Sequence, residues 1–217
     1  MGIDVWVPRV EELVEQDQLL DSDEQVGILS ETSEMGWQEL QQQVEVCEKC
    51  ILSDTRVHTV FGEGDINADW MLIGEAPGQN EDVAGKPFLG QSGFLLTEML
   101  RAIDLNRETA YITNVVKCSP PNNKDPKVDE LKSCNNYLQR QITLVKPKII
   151  LAVGRIAAHT LLGTKQPLSE LRGTVHHVND IPVVVVYHPA YLLRSLLEKR
   201  KAWQDLRLAL KTYQKEK

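Results

Sequence analysis

Two groups of residues in this 217-residue chain have types and spacings that could do chemistry. The first is four cysteines, Cys47, Cys50, Cys118 and Cys134. A C-x2-C pair followed by two distant thiols offers four soft ligands of the kind that bind zinc or an iron–sulfur cluster, whereas disulfides do not persist in a reducing cytosol. Zinc ribbons pair two close knuckles; here 67 residues separate Cys50 from Cys118, and 15 more separate Cys118 from Cys134. That spacing favours a larger cluster and leaves zinc open. The second group lies in Gly74–Gly93, GEAPGQNEDVAGKPFLGQSG, straight after the apolar run Trp70–Ile73. A glycine- and proline-rich segment with an acid, Glu75, beside a strand end builds a site at the carboxyl edge of a sheet. Connections of this kind usually run about 2–6 residues, so one this long points to a pocket for a small planar group.

The elements that must position these residues read as an α/β alternation. Helix patterns cover roughly Gly36–Val46, Gly93–Ile103, Val128–Val145, Arg155–Leu162 and Glu198–Tyr213; strand patterns cover Trp70–Gly74, Ala110–Val116, Ile149–Val153 and Val183–Tyr187. The strands are Ile- and Val-rich with almost no polar alternation, which predicts a sheet covered on both faces and therefore a parallel core. The expected fold is a single α/β domain over residues 36–217, with a central, mostly parallel four-stranded sheet flanked by helices. In such sheets ligands sit beyond the carboxyl ends of the strands. Gly74 and Glu75, Asn114 and His188 all fall at or near such ends, and their convergence is the main functional signal in the chain.

Charge is unevenly spread. The first 36 residues hold ten acids and one base, so they account for more than the whole net charge of -7 and leave the remainder slightly basic. That balance permits a nucleic-acid partner without demonstrating one. Residues 1–35 read as an acidic, flexible tail. Within it Gln16–Leu20, QDQLL, is similar to short peptides that dock on sliding clamps, a possible replication partner. No apolar run reaches the ~18 residues of a membrane helix and the amino terminus lacks a secretory pattern, so a cytoplasmic protein is expected, and nothing calls for more than a monomer.

GEAPGQNEDVAGKPFLGQSG, YITNVVKC, HPAYLLR and the four-cysteine spacing together resemble the family 4 uracil-DNA glycosylases, the iron–sulfur branch of their superfamily, over about Gly36–Tyr213. The resemblance implies a base-excision-repair hydrolase that flips uracil out of DNA, cleaves its N-glycosidic bond and leaves an abasic site. It implies roles residue by residue. Phe88 would stack on the base, Asn114 would read its N3–H and O4 edge, and His188 would donate to O2. Gly74, Ala76 and Gly78 would line the pocket through the GEAPG turn, whose amides are further donors. Glu75 would position water, with Glu81 and Asp82 next in the same loop. Another branch carries an Asp where this chain has Ala76 and a Tyr where it has Gly78, so exclusion of thymine's methyl group would pass to Glu81. Leu192, beside Tyr191 and Leu193, would be a wedge filling the vacated stack, with Arg194 on a phosphate. Cys47, Cys50, Cys118 and Cys134 would hold a 4Fe-4S cluster bracing a DNA-facing loop near Lys117 and Lys124.

Three other readings stand beside this one. A relative that crosslinks to DNA through a His in a basic insertion is opposed by Lys117–Lys127, which has no His. A non-catalytic, metal-stabilised DNA-binding module would retain affinity and release no base. A nucleotide-binding domain would need phosphate-cradling glycines that GEAPGQ and GQSG do not supply.

Overall fold

The structure, a computed structural model, describes residues 32–215. The clamp-like peptide Gln16–Leu20 and most of the acidic stretch lie outside the described residues. The first described residue, Thr32, falls inside the segment expected to be tail and is buried, and the Met35 carbonyl accepts from Arg140 Nε at 2.8 Å.

The described elements run α1 (Trp37–Glu45), β1 (Glu63–Gly64), β2 (Trp70–Gly74), α2 (Gln79–Ala84), α3 (Gly90–Arg101), β3 (Ala110–Asn114), α4 (Val128–Val145), β4 (Ile149–Val153), α5 (Arg155–Leu162), α6 (Leu168–Leu171), β5 (Val175–Val178), β6 (Ile181–Val186), α7 (Pro189–Arg194) and α8 (Lys199–Lys215). They build one six-stranded sheet in the order β1-β3-β2-β4-β6-β5. The four inner strands are mutually parallel, as their apolar runs predict, and β1 and β5 are antiparallel edges. The expectation of four strands is therefore corrected to six. The inner strands β2, β3 and β4 are buried at every position, while β5, VHHV, is half polar and partly exposed and β1 has only two residues.

Strand alternation divides the core into two. Met71, Ile73, Tyr111, Ile150, Ala152, Val183 and Val185 pack under α1, α4 and α5; Trp70, Leu72, Ile112, Leu151, Val153, Val184 and Val186 pack under α3, α7 and α8. Each fully buried Leu, Ile or Val contributes roughly 1.5–3 kcal/mol of transfer free energy, so both faces are fixed by many side chains at once. The register follows from this and carries a functional consequence. Gly74 pairs directly with Asn114, which brings the first glycine of the pocket segment and the expected base-reading residue to the same sheet edge.

Helix ends set the remaining geometry. Helix α4 starts where the Glu130 carboxylate accepts from Lys127 N at 2.7 Å, with Asp129 and Glu130 on its positive first turn. It stops at Lys146 in the left-handed region, φ 51. The long segment after β2 is not a bare loop, because α2 occupies its middle and α3 begins at Gly90, three residues earlier than the sequence pattern indicates.

Candidate active site

The carboxyl ends of β2, β3, β4 and β6 open into a cavity of about 900 Å³, lined among others by Glu75, Ala76, Gly78, Glu81, Phe88, Asn114, His188 and Arg194. Its floor is built around Gly74. A Cβ there would lie 2.4 Å from Asn114 Oδ1 and 2.4 Å from Phe88 Cζ, so only glycine lets both side chains share this point. Asn114 is 2% exposed, and among the described residues its carboxamide has no hydrogen-bond partner in the protein. The carboxamide opens onto the cavity, where a ligand with a matching donor and acceptor edge can pair with it.

Phe88 and His188 face the same space with centroids 5.8 Å apart and planes 27° from parallel. His188 caps α7, its Nδ1 accepting from Ala190 N at 3.2 Å. Burial first, then the Arg194 charge, lowers its pKa to about 4. The ring is neutral at pH 7, and because Nδ1 is the acceptor its proton resides on Nε2, leaving that nitrogen to donate. Gly154, at the end of β4 with φ 94, admits the imidazole: a Cβ there would sit 3.1 Å from His188 Cβ. Neither Gly154 nor Arg155 was singled out from sequence, though a glycine directly after a strand was a visible signal.

Glu75 stands at the wall of the cavity. Its pKa is raised to about 7, chiefly by burial and then by the Asp125 carboxylate, against the pull of Arg155. Arg155 is itself paired with Asp125 at 2.5 Å. Glu81, the alternative acid, is committed elsewhere: Oε2 accepts from Gly78 N at 3.1 Å and Oε1 from Leu89 N at 2.6 Å. That carboxylate holds the loop and is not free to position water. Asp82 does not line the cavity; it accepts from Val57 N and His58 N.

One expectation for DNA contact changes. Leu192 is 1% exposed and packed in the core beneath α7, because the helical turn points it inward, so it is no surface wedge. Its neighbours Tyr191 and Leu193 are 37% and 38% exposed and line the cavity mouth with Arg194, Lys124 and Arg155. Lys117 is likewise buried, its Nζ donating to Thr113 Oγ1, Asn114 O and Gln141 Oε1 at 2.6–2.7 Å. Burial pulls its pKa to about 7 against the Cys134 and Cys118 thiols, which push it up. It ties the end of β3, and so Asn114, to α4. Asn123, unmarked in sequence, reaches the opposite wall near Gly78, using a left-handed φ of 51 that Asn tolerates.

The four cysteines converge away from this cavity. Cys47, Cys50, Cys118 and Cys134 line one small void with Arg56 and Lys117. Arg56 Nη1 donates to Cys118 Sγ at 3.5 Å and Lys117 N to Cys134 Sγ at 3.3 Å. Burial lifts the Cys118 thiol to about 11 and the Cys134 thiol to about 12. Among the described residues no three His, Cys, Asp or Glu side chains gather around a single-ion position.

Residues 61–207 match the model of the uracil DNA glycosylase superfamily. The chain is similar to the type-4 uracil-DNA glycosylase of Archaeoglobus fulgidus, 43% identical over 155 residues, which are 68% of this chain and 78% of that protein. It is 41% identical over 174 residues to the type-4 enzyme of Saccharolobus solfataricus, 76% of this chain and 81% of that one. With the type-4 enzyme of Thermotoga maritima it shares 39% identity over 156 residues, 71% and 81% of the two chains. A sheet edge carrying a partnerless buried Asn, a neutral His donor and an aromatic ring, in a chain this close to those enzymes, places it in a family: it belongs to the uracil DNA glycosylase superfamily.

Proposed function

We propose that this protein is a uracil-DNA glycosylase that excises uracil from DNA by hydrolysing the N-glycosidic bond, releasing free uracil and leaving an abasic site. The observation that carries the reading is the buried Asn114 carboxamide, without a protein partner among the described residues, beside the Phe88 ring at the Gly74 floor. An extruded base stacks on Phe88 while Asn114 accepts from N3–H and donates to O4, a pattern cytosine inverts. As the bond to C1′ lengthens, negative charge moves onto the base, and the neutral His188 donates to O2 from Nε2; a donor aimed at developing charge is worth about 10²–10³ in rate. Glu75, ionised, orients the water that adds to C1′ and stabilises the positive sugar. The uracil anion then takes a proton from solvent. Glu81, which fills the space beside Gly78, is the side chain assigned to exclude thymine's methyl group. Tyr191 and Leu193 take over the wedge role from Leu192, and Arg194, Lys124 and Arg155 meet phosphates at the rim.

The four thiols of Cys47, Cys50, Cys118 and Cys134, lining one void, support a 4Fe-4S cluster held by these residues. When bound, the cluster would brace the segment after α1 against the loop that follows β3. The wide spacing of Cys118 and Cys134 from the C-x2-C pair favours a cluster over a zinc ribbon built from two close knuckles. The Arg56 and Lys117 donors to sulfur favour the thiolate state that ligation requires.

The deciding experiment incubates the protein with single- and double-stranded oligonucleotides carrying one uracil. Free uracil with an alkali-labile strand is the expected result; binding with no release, or a covalent adduct, overturns the hydrolytic reading. For the thiols, protein purified without oxygen is expected to be brown and to contain iron and labile sulfide in equal amounts, with both lost in Cys134→Ser. Zinc in place of iron would reject the cluster.

A further inference from the structure

Phe88 has a φ of 52, in the left-handed region that phenylalanine rarely occupies. Both peptide planes flanking it are held. Arg107 Nη2 donates to Pro87 O at 2.7 Å and Nη1 donates to Phe88 O at 3.3 Å. The amide of the second plane, Leu89 N, donates to Glu81 Oε1 at 2.6 Å. Arg107 is oriented in turn, its Nε donating to Glu63 Oε1 of β1 at 3.0 Å. Space for the Phe88 carbonyl comes from Gly93, whose missing Cβ would otherwise lie 1.9 Å from that oxygen.

Because φ and ψ are the rotations that join two rigid peptide planes, holding both planes fixes the direction of the bond that carries the ring. We infer that Arg107, aimed by Glu63, is a positioning residue for uracil excision: it clamps the Pro87 and Phe88 carbonyls and thereby sets the ring against which the base stacks. Arg107 does not line the cavity, so its influence on the reaction passes through Phe88. A guanidinium suits the task where an ammonium does not, since two carbonyls and a carboxylate are met by one planar group from fixed directions. Left-handed strain concentrates at functional positions when the surroundings over-determine it, and here three separate contacts do so. The edge strand β1, two residues long, thus has a purpose beyond the sheet: it supplies Glu63.

This inference rests on the reading of Phe88 as the stacking residue, and a double-mutant cycle separates the two. kcat/KM on a single-stranded uracil oligonucleotide is measured for Arg107→Met, Phe88→Leu and the pair, together with melting temperature and inhibition by free uracil. Arg107→Met is expected to lower kcat/KM about tenfold or more and to weaken uracil inhibition in parallel. In the Phe88→Leu background the same change is expected to cost less than about threefold, because the ring it positions is gone. Arg107→Lys is expected to fall between wild type and Arg107→Met. Equal losses in both backgrounds would mean a general stabilising role and overturn the proposal. An unaltered kcat/KM in Phe88→Leu alone would overturn the stacking reading and this inference with it. Should Arg107→Met fail to fold, Glu63→Gln in the same two backgrounds carries the same cycle, with the same non-additive result expected and additivity overturning it.

Discussion

Asn114→Asp lowers uracil release by about a thousandfold or more while the protein stays folded. The substitution is nearly isosteric and the backbone around it is secured independently: Asn114 closes β3 opposite Gly74, and its carbonyl accepts from the buried Lys117 Nζ at 2.7 Å. What changes is the edge presented to the base. An ionised Asp is acceptor only, so it loses the bond to O4 and sets a charge against that oxygen. A site whose buried polar groups are left unpaired or opposed rejects its ligand by about 10⁴–10⁵ in favourable cases, and a thousandfold is the lower end expected here. Cytosine, which offers an amine where uracil has O4, gains relative to uracil. Strand cleavage after alkali, on matched uracil and cytosine oligonucleotides, measures both. Undiminished uracil turnover would remove Asn114 from the site.

The second large effect is a pH dependence centred on Glu75. Its pKa near 7 is raised by burial and by Asp125, and lowered by Arg155. If ionised Glu75 orients the water, kcat/KM, which reports groups on the free enzyme, climbs as pH rises through about 7 and levels off above it. Glu75→Gln is expected to lose about 10²–10⁴ in rate and to flatten that limb. Neighbours move the limb with a definite sign. Asp125→Asn removes a negative charge that disfavours a second carboxylate, so Glu75 ionises more readily and the limb shifts to lower pH; Arg155→Gln shifts it higher. His188 cannot mimic this, because with a pKa near 4 it is already neutral across the range. A charged imidazole donor would make activity fall with rising pH, the opposite slope. A profile that is flat from pH 5 to pH 9 in the unaltered protein, or one identical in Glu75→Gln, rules Glu75 out.

The sequence revealed the inner sheet because β2, β3, β4 and β6 bury almost every side chain, and a run of Ile, Val and Leu leaves little ambiguity. Gly74, Glu75, Asn114 and His188 were legible for the same reason, since parallel strands put their ends on one edge. The misreadings share a different cause. Leu192 looked exposed because α7, only six residues long, gave no periodic signal, and its rotation onto the core could not be inferred. The role of Lys117 was not legible, because a lysine beside a cysteine loop gives no sign that Thr113, Asn114 and Gln141 surround it. Glu81 looked like a spare acid until the loop folded back to place Gly78 N and Leu89 N on its two oxygens. Arg107 and Arg155 act through partners 19 to 30 residues away or more, a distance that local pattern does not bridge.

The central claim is that one extruded pyrimidine touches Phe88, Asn114 and His188 together. A crystal structure of the protein with uracil bound tests it most directly. The account predicts the base lying on the Phe88 ring, its N3 and O4 within hydrogen-bonding distance of the Asn114 carboxamide, and its O2 facing His188 Nε2. Uracil seated elsewhere in the cavity, or an Asn114 side chain turned away from it, would contradict the account.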